Sequence, residues 1–141
     1  MKSNNFVYSF LSKHSYLLPL GVISLTIGML LLTLLPSNYI GENQLWSFDK
    51  LGHTLLFGGW SLALGLYLNI YKNKHIKPWI VFACGVLFGL IIEILQYSLP
   101  VNRHADPIDF LFDVIGCLIA VWVLKLVLPK NADKPVETKA I

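Results

Sequence analysis

Four long apolar segments constrain the fold of this chain more than any other feature of its sequence. Each has the roughly 20 residues that an α-helix needs to cross a hydrocarbon core about 30 Å thick. Because 55% of the residues are hydrophobic and 13% are charged, little is left to build a soluble domain. The sequence therefore predicts one all-α domain, an integral membrane four-helix bundle in residues 1–128, and a short disordered tail in residues 129–141. The predicted spans are residues 17–35, 51–70, 79–99 and 109–128.

The basic residues divide unequally between the two sides of the predicted bundle. Lys50 and Arg103 lie on one side, and the other nine of the eleven Lys and Arg residues lie on the opposite side. Cytoplasmic segments of membrane proteins collect Lys and Arg, so the pattern predicts that both termini are cytoplasmic, including the tail. The net charge of +3 follows from this bias. Anionic lipid headgroups, and no nucleic acid, are its expected partners.

Polar residues gather at the outer ends of spans two, three and four. Five of the chain's eight acidic residues are among them, together with its single arginine. A charge at the centre of a bilayer costs about 2.5–3.5 kcal/mol on insertion scales, so ionisable residues at membrane depth are functional candidates by default. The group consists of Asp49, Lys50, His53, Glu93, Gln96, Arg103, Asp106, Asp109 and Asp113.

Helical spacing predicts which way the side chains of span three point. Gly85, Gly89 and Glu93 recur at every fourth residue. Small residues at this spacing let two helices approach closely. Glu93 is therefore expected to continue a face that meets other helices, and Gln96 follows it by three residues.

The fourth span carries a similar stripe, with acids in its outer part and small residues deeper. Asp106 before Pro107 is typical of a helix cap followed by proline at the first helical position. The stripe consists of Asp106, Asp109, Asp113, Gly116 and Ala120. Small residues also predict packing faces on the first two spans, namely Gly21, Ser24 and Gly28 on span one and Gly59 and Ala63 on span two.

Three motifs mark these ends: DKLGH at residues 49–53, EILQ at 93–96 and RHADPIDFLFDVIG at 103–116. Their order and spacing resemble the VanZ-like family, small membrane proteins named after a protein associated with low-level resistance to the glycopeptide teicoplanin. The resemblance covers about residues 36–116. It implies a multi-pass protein of the bacterial inner membrane with a link to glycopeptide susceptibility, and it implies no particular reaction. The matching residues are Asp49, Lys50, His53, Glu93, Gln96, Arg103, Asp109 and Gly116; Asp113 departs from the pattern, which usually has Asn there.

Three functional interpretations are open at this point. The favoured one is a polar site in the outer leaflet that binds the headgroup of an envelope lipid, a lipid-linked precursor or a lipoglycopeptide. Lys50 and Arg103 would then hold a phosphate or carboxylate. The predicted ligand-binding residues are Asp49, Lys50, His53, Glu93, Gln96, Arg103, Asp109 and Asp113.

The second interpretation is a membrane-embedded hydrolase or transferase, in which Glu93 and His53 exchange protons with the substrate and Asp109 is a further catalytic candidate. The third is a structural bundle whose polar groups only fix helix packing. The sequence requires no cofactor. Glu93, Asp109 and Asp113 are candidate ligands for a metal ion, because hard oxygen ligands suit Mg²⁺ or Ca²⁺.

Overall fold

The computed structural model describes residues 6–34, 49–74, 76–99 and 106–128 of the chain. Within these residues there are five α-helices and no β-strand. The helices are α1 (Phe6–Lys13), α2 (Leu18–Leu34), α3 (Asp49–Leu66), α4 (Pro78–Ser98) and α5 (Pro107–Val127).

Four helical stretches are long and apolar enough to cross a membrane: Ser15–Leu34, Lys50–Tyr71, Pro78–Ser98 and Pro107–Val127. Their ends agree with the four predicted spans to within two residues. The all-helical class and the four candidate spans are thus confirmed. The cytoplasmic orientation of the termini stays a prediction, and the predicted tail at 129–141 lies outside the described residues.

The short helix α1 was not predicted from the sequence. Its eight residues are too few for a span, so a search for long apolar segments does not detect them. A 3₁₀ turn, Ser15–Leu17, joins it to α2. Helix α1 contacts the π-helical turn Tyr67–Tyr71 that follows α3. The N-terminal segment and the end of the second span therefore lie at the same end of the bundle.

Two apolar clusters form the core. Near α1, the buried residues Leu66, Val81 and Leu124 pack together, with Leu11 of α1 against them. The second cluster takes one buried residue from each spanning helix, namely Met29, Phe57, Ile92 and Cys117. Large apolar side chains such as Leu55, Leu87 and Trp122 also lie on the outside of the bundle. In a membrane those side chains meet acyl chains, which are as apolar as leucine.

Helices α3 and α5 make the most extensive contact in the bundle, and they touch through their backbones. A Cβ atom built on Gly116 would clash with the carbonyl oxygen of Thr54 and would lie 2.9 Å from the backbone nitrogen of Gly58. The hydroxyl of Thr54 also donates to the carbonyl oxygen of Phe112 at 3.2 Å. Glycine at position 116 is what lets the two helices approach this closely.

The predicted glycine face of α4 is confirmed. A Cβ atom on Gly85 would meet the side chains of Ser61 and Cys117. A Cβ atom on Gly89 would lie 3.2 Å from Oδ2 of Asp113. Small residues on α4 thus allow α3 and α5 to come close at the depth where Asp113 lies.

The small-residue faces predicted for the first two spans are wrong. A Cβ atom on Gly21, Gly28 or Gly59 would meet nothing within 4 Å. The close contacts of α3 use Gly58 instead, one position away from the predicted Gly59. A helix that is apolar on all sides carries little information about its rotation, so the sequence does not distinguish between two adjacent glycines.

Candidate functional site

The beginnings of α3 and α5 and the end of α4 meet at the end of the bundle opposite α1. We call this the polar end. Asp106 initiates α5 there: its Oδ1 accepts a hydrogen bond of 2.8 Å from the backbone nitrogen of Ile108, and Pro107 occupies the first helical position. The predicted cap is confirmed. Asp106 fixes where α5 begins, so Asp109 lies in its first turn.

A buried hydrogen bond between His53 and Asp113 joins α3 to α5. Nδ1 of His53 lies 2.8 Å from Oδ1 of Asp113, the length of a charge-assisted hydrogen bond. The Asp113 side chain is 1% exposed and that of His53 is 8% exposed. His53 and Asp113 are 60 positions apart, so their spacing in the sequence does not reveal that they pair. The packing of α3 against α5 brings them together.

Asp109 extends this pair towards the surface of the bundle. Its Oδ2 lies 3.9 Å from Nε2 of His53, and its Oδ1 lies 3.7 Å from Nζ of Lys50. Lys50 and His53 are three residues apart on α3, and Asp109 and Asp113 are four residues apart on α5, so each pair occupies one helix face. The result is a row of basic and acidic side chains that alternate from Lys50 through Asp109 and His53 to Asp113.

The setting of His53 limits its chemistry. Both of its ring nitrogens face carboxylate oxygens, at 2.8 Å and 3.9 Å. A carboxylate only accepts hydrogen bonds, so Nδ1 donates to Asp113. Nε2 is beyond hydrogen-bond distance of Asp109. The ring also lies parallel to that of Phe57, with the ring centroids 6.2 Å apart. In this position, His53 lies between the carboxyl groups of Asp113 and Asp109.

Glu93 of α4 completes the group of side chains at this end. It is 9% exposed, and it interacts electrostatically with Asp113, Asp109 and His53. Its Oε1 atom is buried, and no hydrogen-bond partner reaches it among the residues that the structure describes. We call Lys50, His53, Glu93, Asp109 and Asp113 the polar cluster. Contacts of 3.9 Å or less join Lys50, His53, Asp109 and Asp113, and Glu93 acts on this group electrostatically; that the five residues form one ligand site stays a prediction.

Gln96 lies at the same end of the bundle but contacts another helix. Its Nε2 donates to the carbonyl oxygen of Thr33 at 2.9 Å. The last four carbonyl groups of an α-helix lack partners within that helix, so this bond caps α2 from α4. The contact gives Gln96 a packing function, and its predicted part in ligand binding stays a prediction.

Two of the predicted site residues cannot be placed as side chains. Asp49 is the first residue of α3, and its side chain is not described. Arg103 lies outside the described residues. Within residues 6–34, 49–74, 76–99 and 106–128, no group of three or more His, Cys, Asp or Glu side chains is arranged to hold a metal ion. The metal and catalytic assignments made from the sequence stay predictions.

Sequence reasoning missed two polar contacts between helices, one of them beside the polar cluster. Thr54, next to His53, binds the carbonyl oxygen of Phe112 and so ties α3 to α5 beside the bond between His53 and Asp113. Deeper in the bundle, Nε1 of Trp60 donates to the hydroxyl of Thr26 at 2.9 Å and ties α3 to α2. The sequence could have predicted the second contact from the tryptophan within an apolar segment, because a buried indole N–H usually has an acceptor.

Of three comparisons with known proteins, one found a match. No curated protein matches the chain, and no solved structure does. One protein family, VanZ/LLP1, matches residues 3–128, which is nearly the whole chain. The match includes all four candidate spans and every residue of the polar cluster. The chain is a member of the VanZ/LLP1 family of multi-pass membrane proteins.

Proposed function

We propose that this protein binds the headgroup of an envelope amphiphile at its polar cluster, in the outer leaflet of a bacterial inner membrane. The amphiphile is an envelope lipid, a lipid-linked precursor or a lipoglycopeptide. The observation that carries the proposal is the buried Oε1 of Glu93, which has no hydrogen-bond partner among the described residues and feels the negative charges of Asp113 and Asp109. A buried acceptor of this kind is costly unless a partner satisfies it. A ligand headgroup would be that partner.

The alternative, in which the cluster only fixes helix packing, explains part of the cluster. The bond between His53 and Asp113 joins two helices, and such bonds contribute about 0.6–2 kcal/mol each in membranes. Glu93 makes no such bond through Oε1 to any described residue. Placing its carboxyl group near Asp113 and Asp109 adds repulsion between like charges. A third carboxyl group at this position therefore favours binding over packing alone.

The distribution of lysines supports the proposed orientation. Lys13 ends α1, and Lys72 and Lys74 follow the turn that α1 contacts. The polar end has Lys50 at the beginning of α3. If cytoplasmic loops collect the lysines, the α1 end faces the cytoplasm and the polar cluster faces the outer leaflet. Headgroups of lipids and lipid-linked precursors in that leaflet would then reach the cluster from the side of the bundle.

A link to teicoplanin is part of the proposal, because the chain belongs to the VanZ/LLP1 family and resembles proteins associated with resistance to that glycopeptide. Binding of an envelope headgroup offers a physical route to such a phenotype. Either the drug's own amphiphilic portion or the precursor that competes with it would occupy the site. Both routes require the polar cluster to be intact.

Replacing Glu93 by glutamine tests the proposed function. The amide keeps the size of the side chain but removes its charge, so a packing role would survive and a charge-dependent binding role would not. We expect the variant to fold normally and to lose the change in teicoplanin susceptibility that the wild-type protein confers on a sensitive host. The measurements are the minimal inhibitory concentration and the thermal stability of the purified variant.

The matched control is Thr26→Val, which removes the bond to Trp60 in the middle of the bundle and leaves the polar cluster untouched. We expect this variant to keep the teicoplanin phenotype. If Glu93→Gln also kept the full phenotype, the binding function would be wrong and the packing interpretation would stand.

The 2.8 Å contact between His53 and Asp113 favours a second candidate function. A carboxylate that orients a histidine is a common part of acid–base sites, so hydrolysis or group transfer on an envelope lipid is the alternative, with Glu93 and His53 exchanging protons. Incubating the pure protein with envelope lipids separates the two functions. A covalently altered lipid, detected by mass spectrometry and absent with Glu93→Gln, would support catalysis over binding.

A further inference from the structure

We propose that the group bound at Glu93 is a primary ammonium, so that the site selects amphiphiles with an amine-bearing headgroup such as phosphatidylethanolamine. This inference rests on the proposed headgroup binding and names the class of ligand. It follows from the hydrogen-bonding state of Glu93, from the charge balance of the polar cluster and from the exposure of Lys50.

The first observation is the state of Glu93. The residue is 91% buried, and its Oε1 has no hydrogen-bond partner among the described residues. In its ionised form the carboxylate only accepts hydrogen bonds, so a group that satisfies Oε1 in that form is a donor. Hydrogen bonds from an ammonium to a carboxylate are among the strongest in proteins. A ligand with N–H groups and a positive charge satisfies Oε1 best.

The second observation is the charge balance around that atom. Of the described charged groups that act on Glu93, His53 is positive when protonated, and Asp113, Asp109 and Asp106 are negative. His53 is already bonded to Asp113, and Lys50 lies beside Asp109. The three carboxyl groups of the polar cluster therefore face two cations when His53 is protonated, and one when it is neutral. A ligand that brings one positive charge to Glu93 balances the cluster, whereas an anion placed there would be repelled.

The third observation is the position of Lys50 at the edge of the cluster. Its side chain is 46% exposed, and its Nζ is 3.7 Å from Oδ1 of Asp109, longer than a hydrogen bond. Nζ has three donors, and exposure leaves it accessible to an anion. A zwitterionic headgroup matches both ends of the site, with its phosphate at Lys50 and its ammonium at Glu93.

The ammonium is favoured over the other cations that a membrane offers. A divalent metal ion needs several oxygen ligands at once, and the described residues contain no group of three acidic, His or Cys side chains arranged to hold one. A quaternary ammonium, as in phosphatidylcholine, has the charge but no N–H donor to give to Oε1. Phosphatidylethanolamine and phosphatidylcholine have the same phosphate and can have the same acyl chains. Comparing their binding therefore separates the contribution of hydrogen bonding from that of charge.

The test is lipid retention by the full-length protein. Purified protein is exchanged into nanodiscs that contain equal amounts of phosphatidylethanolamine, phosphatidylcholine and phosphatidylglycerol with identical acyl chains, and the lipids that stay bound on release are counted by native mass spectrometry. We expect phosphatidylethanolamine to be retained about tenfold over phosphatidylcholine, the discrimination that one charge-assisted hydrogen bond provides. Glu93→Gln is expected to remove the preference, and Thr26→Val to keep it.

The other outcomes distinguish this inference from the function on which it rests. Equal retention of the amine and choline lipids, lost together in Glu93→Gln, would overturn the ammonium inference and leave headgroup binding intact. A preference for phosphatidylglycerol would do the same and would assign the site to anions. If the wild type and Glu93→Gln retained every lipid equally, both the ammonium inference and headgroup binding at the polar cluster would be wrong. Binding of Mg²⁺ alone, measured by calorimetry without lipid and lost in Glu93→Gln, would replace the ammonium by a metal ion.

Discussion

Replacing Asp113 by alanine is expected to lower the free energy of unfolding by about 2–3 kcal/mol, because the buried ring N–H of His53 loses its hydrogen-bond acceptor. The Asp113 side chain is 1% exposed, and its carboxylate accepts the 2.8 Å bond from His53. Without the carboxylate, the buried imidazole of His53 would face an empty space instead of an acceptor. The bond between His53 and Asp113, which joins α3 to α5 next to the contact of Thr54, would be lost. Unfolding of the purified variant by SDS in mixed micelles measures the effect.

Asparagine at the same position is the matched control. Its amide oxygen can still accept a hydrogen bond from Nδ1 of His53, so we expect Asp113→Asn to cost about 1 kcal/mol or less, the net value of a typical hydrogen bond. The pattern that this chain resembles usually has Asn at this position, which is consistent with a fold that tolerates the amide. Equal losses for alanine and asparagine would show that the ionic character of the pair matters more than its hydrogen bond. Negligible loss for alanine would contradict the buried pair itself.

Replacing Gly116 by alanine is the second change with a large expected effect. The new methyl group would meet the backbone of Thr54 and Gly58, and backbone atoms cannot rotate away as a side chain can. Overpacking a close contact costs about 1–3 kcal/mol, and we expect the upper end of that range because α3 and α5 would have to separate. Separation would also lengthen the contact between His53 and Asp113. The same SDS unfolding assay measures the loss of stability.

Gly59→Ala controls for the intrinsic effect of replacing glycine in a helix. A Cβ atom at Gly59 would meet nothing within 4 Å, and alanine favours a helix by about 1 kcal/mol over glycine. This variant should therefore unfold at the same SDS concentration as the wild type or at a higher one. The difference between the two alanine variants isolates the clash. If Gly116→Ala were as stable as Gly59→Ala, the close approach of α3 and α5 would be wrong.

The sequence predicts the spanning helices well because hydropathy and length act locally. A run of about 20 apolar residues has few alternatives to a transmembrane helix, and all four predicted spans agree with the structure within two residues. The cap at Asp106 is equally local and was also predicted. Helix α1 was missed because its eight residues fall below the length on which that reasoning depends.

The rotation of each helix is harder to predict, and the candidate site depends on it. On α4 and α5, acids and glycines share a face, so the sequence correctly turns Glu93 and Asp113 inwards. On α3, two adjacent glycines do not indicate which of them faces α5. The predicted contact was at Gly59, and the structure has it at Gly58. That His53 pairs with Asp113, or that Gln96 caps α2, follows from tertiary packing across about 60 residues. Local spacing contains no information about those pairings.

An experimental structure of the protein in a nanodisc containing phosphatidylethanolamine is the most direct test of a shared headgroup site at the polar end. We expect ordered headgroup density within about 3 Å of Oε1 of Glu93, the distance of a hydrogen bond, with His53 bonded to Asp113. Acyl chains packed against Glu93 and Asp113, or His53 and Asp113 on separate faces of the bundle, would contradict it.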